Sequence, residues 1–198
     1  MITVGIFIFE NVEVLDFAGP YEVFTTASRV GQRNSLPEPF TVFTISRTGT
    51  TIQARAGLKV YPDYQFENHP PIDLLIIPGG VVTQELDEPE VIQWIRTIAA
   101  KSQLTASVCT GAFLLAQAGL LEGKSATTHW EDIADLRAMF GSIEVVEGKR
   151  WVDEGVVITS AGISAGIDMS LHLVDRLAGR DLALKTARQM EFDWMENS

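Results

Sequence analysis

The stretch from Leu104 to Gly119, LTASVCTGAFLLAQAG, constrains the fold more than any other. A short apolar run passes at Cys109 into a helix-forming segment that stops at a glycine. Ser107 stands two residues before the cysteine and Gly111 two after it. A strand that turns sharply into a helix with a nucleophile at its apex is crowded, and needs small residues at those positions. The unpaired N–H groups and dipole of such a helix favour an anion, so the pattern predicts a thiol of lowered pKa. Cys109 is the only cysteine in the sequence. A lone cysteine is also commonly a small buried hydrophobe, and the spacing leaves both roles open.

The remaining segments alternate in the same sense. Ile2 to Phe9 is a continuous apolar run, as a buried parallel strand requires. The following segment predicts a helix with Pro20 in its first turn and Gly31 at its end. Asp16 then falls in the turn after the first strand, where parallel strands open onto a ligand crevice; an N-cap role is the alternative. Phe40 to Ser46 reads as a strand, Thr51 to Val60 as a hairpin or edge excursion, and Tyr61 to Pro71 as a loop carrying a solvated His69. Asp73 to Ile77 is a further buried strand running into Pro78-Gly79-Gly80. That glycine pair can turn backbone N–H groups towards a ligand, or form a plain tight turn.

Pro89 to Lys101 has the apolar spacing of an amphipathic helix. Beyond Gly119 a strand leads through Thr127, Thr128 and His129 into a helix beginning near Trp130. His129 either faces the site or serves as a capping or packing residue. Residues 143–159 read as β-rich, with a turn at Asp153-Glu154-Gly155. The small-residue loop Ser160 to Asp168 opens a helix to about Leu177, on which His172 is structural, and Asp181 to Met195 reads as a last helix. The alternation predicts a single-domain α/β sandwich over residues 1–198 with a largely parallel central sheet.

Composition narrows the function. With 198 residues, 46% of them hydrophobic, the chain can bury a sizeable core. Its net charge of −11, from 26 acidic and 15 basic residues, argues against nucleic acid and anionic membrane as partners. One cysteine rules out an internal disulfide and a Cys-rich zinc site. No apolar run approaches the roughly 18 residues of a membrane span, and the chain opens directly on ITVGIFIF with no charged leader. The expectation is a cytoplasmic protein acting on a small molecule.

LDFAGPYEVF, IIPGG, SVCTGAFLLAQAGLLEGKSATTHW and SAGISAGID, in this order, resemble the PfpI/ThiJ superfamily, which has a class I glutamine-amidotransferase-like, flavodoxin-like fold. The combination of LD-x-x-GP, SVCTG and ATTHW is similar to the isonitrile hydratase branch. It also resembles the ligand-binding domain of some AraC-type regulators, in which a helix-turn-helix region follows; this sequence ends at Ser198. The resemblance implies that Cys109 is the nucleophile and Asp16 the acid approaching it. It implies an anion pocket formed by the backbone N–H groups of Thr110 and Gly80, with Gly79 and His129 beside it. Thr110 stands where peptidase-like members carry histidine, which argues against their chemistry. Ser160-Ala161-Gly162 replaces a glycine run common in hydratase-like sequences. The implied reaction is hydration of an isonitrile to an N-substituted formamide through a covalent thioimidate, with no metal or organic cofactor and as a homodimer. Rival expectations are a glyoxalase- or deglycase-like activity on reactive carbonyls, and a redox or ligand sensor using the same cysteine.

Overall fold

The computed structural model describes residues 1–33 and 38–197. Seven strands form the main sheet. They are β1 (Ile2–Phe7), β2 (Phe40–Ser46), β3 (Tyr64–Gln65), β4 (Leu74–Ile77), β5 (Leu104–Val108), β6 (Trp151–Asp153) and β7 (Val157–Ser160). Their spatial order is β6-β7-β5-β4-β1-β2-β3. Every neighbouring pair is parallel except β6–β7, an antiparallel hairpin at one edge. All residues of β4 and β5 are buried. A strand buried on both of its faces needs cover on both faces of the sheet, and the helices supply it. Helices α1 (Val14–Arg33), α4 (Ala165–Ala178) and α5 (Arg180–Gln189) pack on one another, while α2 (Pro89–Ala99) packs on α3 (Gly111–Gln117). This is the expected α/β sandwich.

The apolar runs become strands close to where their patterns place them, and the Thr51 to Val60 hairpin is present as Ile52–Gln53 paired with Lys59–Val60. Three details differ. Helix α1 begins at Val14, so Pro20 lies inside it and Asp16 in its first turn. Pro20 has no N–H to give to the carbonyl four residues back, which is that of Asp16. The predicted loop from Tyr61 contributes β3 to the sheet edge, and His69 is half-buried rather than a free loop side chain. Its Nε2 accepts the Trp94 indole N–H at 3.2 Å and its ring packs edge-on against that indole. Finally, α5 stops at Gln189, and the chain beyond it docks on the body of the protein. Trp194 donates to the Asp168 carbonyl (3.1 Å), and Met195 N–H to the buried Asp168 carboxylate (2.8 Å). His172 is structural as expected, held to Asp153 at 2.7 Å and stacked on Trp151.

Candidate active site

Four neighbouring parallel strands, β7, β5, β4 and β1, end side by side. The loops leaving the first three carry Gly162, Cys109 and Gly79-Gly80, and the first turn of α1, which follows β1, carries Asp16. Cys109 follows β5 directly, with φ of 56°, a left-handed conformation that a non-glycine residue adopts at a cost. It is held there from both sides. Its N–H donates to Ser160 O at 3.1 Å, and its carbonyl accepts the Thr128 hydroxyl at 2.8 Å. A Cβ on Gly111 would lie 2.1 Å from the Ile77 carbonyl oxygen, so only glycine fits where the helix crosses the end of β4. The backbone thus adopts the strand–cysteine–helix turn that the spacing predicts. Cys109 is 7% exposed and lies on the wall of an open cleft of about 680 Å³.

Asp16 is fully buried. It does not cap its own helix. Its Oδ2 accepts the Gly79 N–H at 3.1 Å, from the loop after β4, while Oδ1 has no hydrogen-bond partner. The Cys109 thiol lies beside the carboxyl. Burial pushes Asp16 up from 3.8 to about 7, against the downward pull of the Gly79 N–H. Burial likewise pushes the thiol up, with the Asp16 charge adding to the effect and the Thr110 N–H opposing it. The lowered thiol pKa expected from the helix N-terminus is therefore reversed. Desolvation and a neighbouring carboxylate outweigh the one backbone N–H, that of Thr110, that opposes them. The two acids titrate as a pair, which carries one negative charge far more readily than two.

The expected anion pocket is only half open. The Gly80 N–H donates to Thr110 Oγ1 at 2.9 Å, and the Thr110 hydroxyl donates back to Gly80 O at 2.9 Å. Thr110 thus staples the glycine turn to the Cys109 loop and consumes the Gly80 donor. The Thr110 N–H is directed at the Cys109 sulfur. Gly79 is required by space: a Cβ there would lie 2.6 Å from Thr110 N and 2.9 Å from Asp16 Oδ2.

His129 combines both of its expected roles. It caps the short 3-10 turn Trp130–Asp132, its Nδ1 accepting the Glu131 N–H at 3.3 Å, and it also lines the cleft. Gly162 brings the histidine and the cysteine together. A Cβ there would stand 2.4 Å from His129 Cδ2 and 2.8 Å from Cys109 Sγ. Sequence reasoning noted Ser160-Ala161-Gly162 only as a departure and missed that its glycine makes room for both side chains. It also missed Arg55 and Glu13, which line the same cleft. Among the described residues, no three His, Cys, Asp or Glu side chains converge as metal ligands, and no helix is long and apolar enough to cross a membrane.

The chain is 36% identical over 190 residues to isonitrile hydratase of Pseudomonas putida, covering 96% of this chain and 78% of that one. It is 29% identical over 195 residues to the HTH-type transcriptional regulator GbdR of Pseudomonas aeruginosa, of which it spans 52%. A ThiJ/PfpI family protein from Pseudomonas syringae superposes with a TM-score of 0.85 at 27% identity, over 98% of this chain and 76% of that one. Drosophila melanogaster DJ-1beta shares the fold, with a TM-score of 0.80 at 19% identity over 98% of this chain and 99% of that one. The DJ-1/PfpI family model matches residues 2–176. An elbow cysteine at the ends of the central parallel strands and this matched span lead to one conclusion: the chain belongs to the DJ-1/PfpI family.

Proposed function

We propose that this protein is a cysteine-dependent, isonitrile hydratase-like lyase that converts a small-molecule isonitrile to an N-substituted formamide. It acts as one domain over residues 1–198, as a cytoplasmic homodimer and without a metal or organic cofactor. The observation that carries the reading is the buried Asp16 carboxyl, with its unpartnered Oδ1, beside the Cys109 thiol. A carboxyl brought to about 7 exchanges a proton near neutrality, and an isonitrile carbon accepts both a proton and a nucleophile. The likeness to isonitrile hydratase supports the same reading.

Asp16 takes the thiol proton and passes it from Oδ1 to the isonitrile carbon while Cys109 Sγ bonds to that carbon, giving a thioimidate. Water then adds across the C=N bond, its oxygen to carbon and one proton to nitrogen. The C–S bond breaks, the thiolate leaves, and the remaining water-derived proton returns to Asp16. The product is the formamide, and both side chains are restored. The Thr110 N–H steadies the sulfur whenever it carries charge.

Purified protein incubated with cyclohexyl isocyanide should yield N-cyclohexylformamide, measured by chromatography. Cys109→Ala should abolish the product. Asp16→Asn should lower the rate by ~10²–10⁴-fold, the usual worth of a positioned acid or base, with circular dichroism of both variants unchanged. Lack of formamide from wild type across several isonitriles would sink the proposal, and conversion of methylglyoxal to lactate through Cys109 would replace it with the carbonyl reading. Full activity in Asp16→Asn would move the proton donor to His129.

A further inference from the structure

We propose that the pocket between the ends of β1 and β2 and the helical turn Thr83–Leu86 binds a small monovalent cation, with the buried Glu85 carboxylate as its principal ligand. Three carboxyl side chains are buried among the described residues: Asp16, Glu85 and Asp168. Asp16 lies beside the thiol, and Asp168 is met by the Arg150 guanidinium. Glu85 is 5% exposed, and no hydrogen bond from a described residue reaches its carboxylate; only charges at a distance act on it. Buried carboxylates are otherwise paired with a cation or hydrogen-bonded, so Glu85 calls for a partner from outside the chain.

Glu85 lines a pocket of about 70 Å³ that shares no residue with the Cys109 cleft. Phe7 and Phe9, both buried, form its apolar side. Opposing them are oxygen acceptors. Beside Glu85 stand Glu10, whose Oε2 takes the Gln53 N–H at 3.1 Å, and Ser46, whose Oγ takes the Gly49 N–H at 3.0 Å. Each keeps a lone pair to offer. Arg47, the one cation lining the pocket among the described residues, is bound to Glu88 at 2.8 Å. Burial pushes the Glu85 carboxyl up; the Arg47 charge pulls it back, and Glu88 and Glu10 push it further. Three carboxylates thus stand against one guanidinium. Oxygen ligands with an excess of negative charge select a hard cation. Among the described residues no three His, Cys, Asp or Glu side chains converge as metal ligands, which argues against a divalent ion. A water molecule takes about 30 Å³ of liquid, so the pocket has room for an ion such as K⁺ or NH₄⁺ with a water beside it. Bound there, the ion ties the loop after β1, which leads to Glu13 and Asp16, to the loop after β2 and to Thr83–Leu86.

The inference is independent of the proposed reaction, so its test is run on Cys109→Ala as well as on wild type, and failure of either reading leaves the other standing. Thermal unfolding is followed at pH 8 and constant ionic strength while KCl replaces tetramethylammonium chloride, whose cation is too large for the pocket. The midpoint should rise saturably, by roughly 3–6 °C at about ten times the dissociation constant for a chain of this size. In Glu85→Gln the rise should vanish. No rise in wild type, or an equal rise in Glu85→Gln, overturns the proposal. So does a midpoint that responds to pH but not to K⁺, because a proton would then be what satisfies Glu85. Should Glu85→Gln fail to fold, anomalous diffraction from wild-type crystals grown in RbCl decides. A rubidium peak in contact with the Glu85 carboxylate supports the site, and no peak there overturns it.

Discussion

At the scale of the residue, the pair of Asp16 and Cys109 dominates. Below about 7 both are protonated, and the pair must lose one proton before a thiolate can form. The proposed activity should therefore fall about tenfold per pH unit below about 7, because the fraction of the singly charged pair falls in that way. Above that it should level off, since burial and the Asp16 charge push the second ionisation far upward. A kcat/KM profile that declines above pH 7 would contradict this assignment. The same burial has a stability cost of definite sign. A folded-state pKa raised from 3.8 to about 7 means that the folded protein holds the Asp16 proton more tightly than the unfolded chain does. The cost is absent below about pH 4, grows as pH rises, and is complete above about 7. Asp16→Asn should accordingly unfold later in urea than wild type at pH 8, by up to about 4 kcal/mol at 1.36 kcal/mol per pKa unit, with the gain vanishing towards pH 4. Gain of stability with loss of activity marks a residue kept for function.

At the scale of the element, the turn from β5 into α3 depends on what crosses it. Gly111→Ala would drive a methyl to 2.1 Å from the Ile77 carbonyl oxygen, which belongs to a central strand and cannot move aside. The expected loss is about 1–3 kcal/mol or more, the usual cost of overpacking, seen as a lower thermal midpoint. Gly162→Ala should behave differently. Its methyl would meet the side chains of His129 and Cys109, so activity should drop sharply while the thermal midpoint changes little. Equal losses of stability in the two variants would deny Gly162 its place in the site. Strands and helices were largely legible in the sequence because apolar periodicity reports burial directly. Element ends were less so. The last helix was expected to run to Met195, but α5 ends at Gln189, where Glu191 turns left-handed (φ 49°) and the Phe192 N–H closes back on Ala187 O at 3.0 Å, and the chain beyond docks on Asp168 and Trp151.

At the scale of the whole molecule, that C-terminal segment, α4 and the loop beside the cleft meet at one ion pair. Asp168 is fully buried and bonded by the Arg150 guanidinium, which also reaches Ser164 Oγ at 3.3 Å. Arg150→Ala would leave a buried carboxylate without its cation, at a cost of about 3–5 kcal/mol. It should also loosen residues 193–197, measurable as faster amide exchange there. An unchanged unfolding midpoint would show that the pair adds nothing.

The sequence alone was enough to establish an α/β sandwich, the strand–cysteine–helix turn and a candidate set of Asp16, Cys109 and Thr110. Each follows from local rules: strands need apolar runs, a sharp turn needs small neighbours, and the family motifs are contiguous in the chain. Strand order was not local. Only the folded sheet sets β7, β5, β4 and β1 side by side, and so brings Asp16, Gly79, Cys109 and Gly162 to one cleft from positions up to 146 residues apart. Electrostatics was not local either. A helix N-terminus next to a cysteine predicts a stabilised thiolate, but desolvation depends on everything packed around the group. Only the tertiary structure decided that burial would raise both acids and that Thr110 would take the Gly80 N–H for itself.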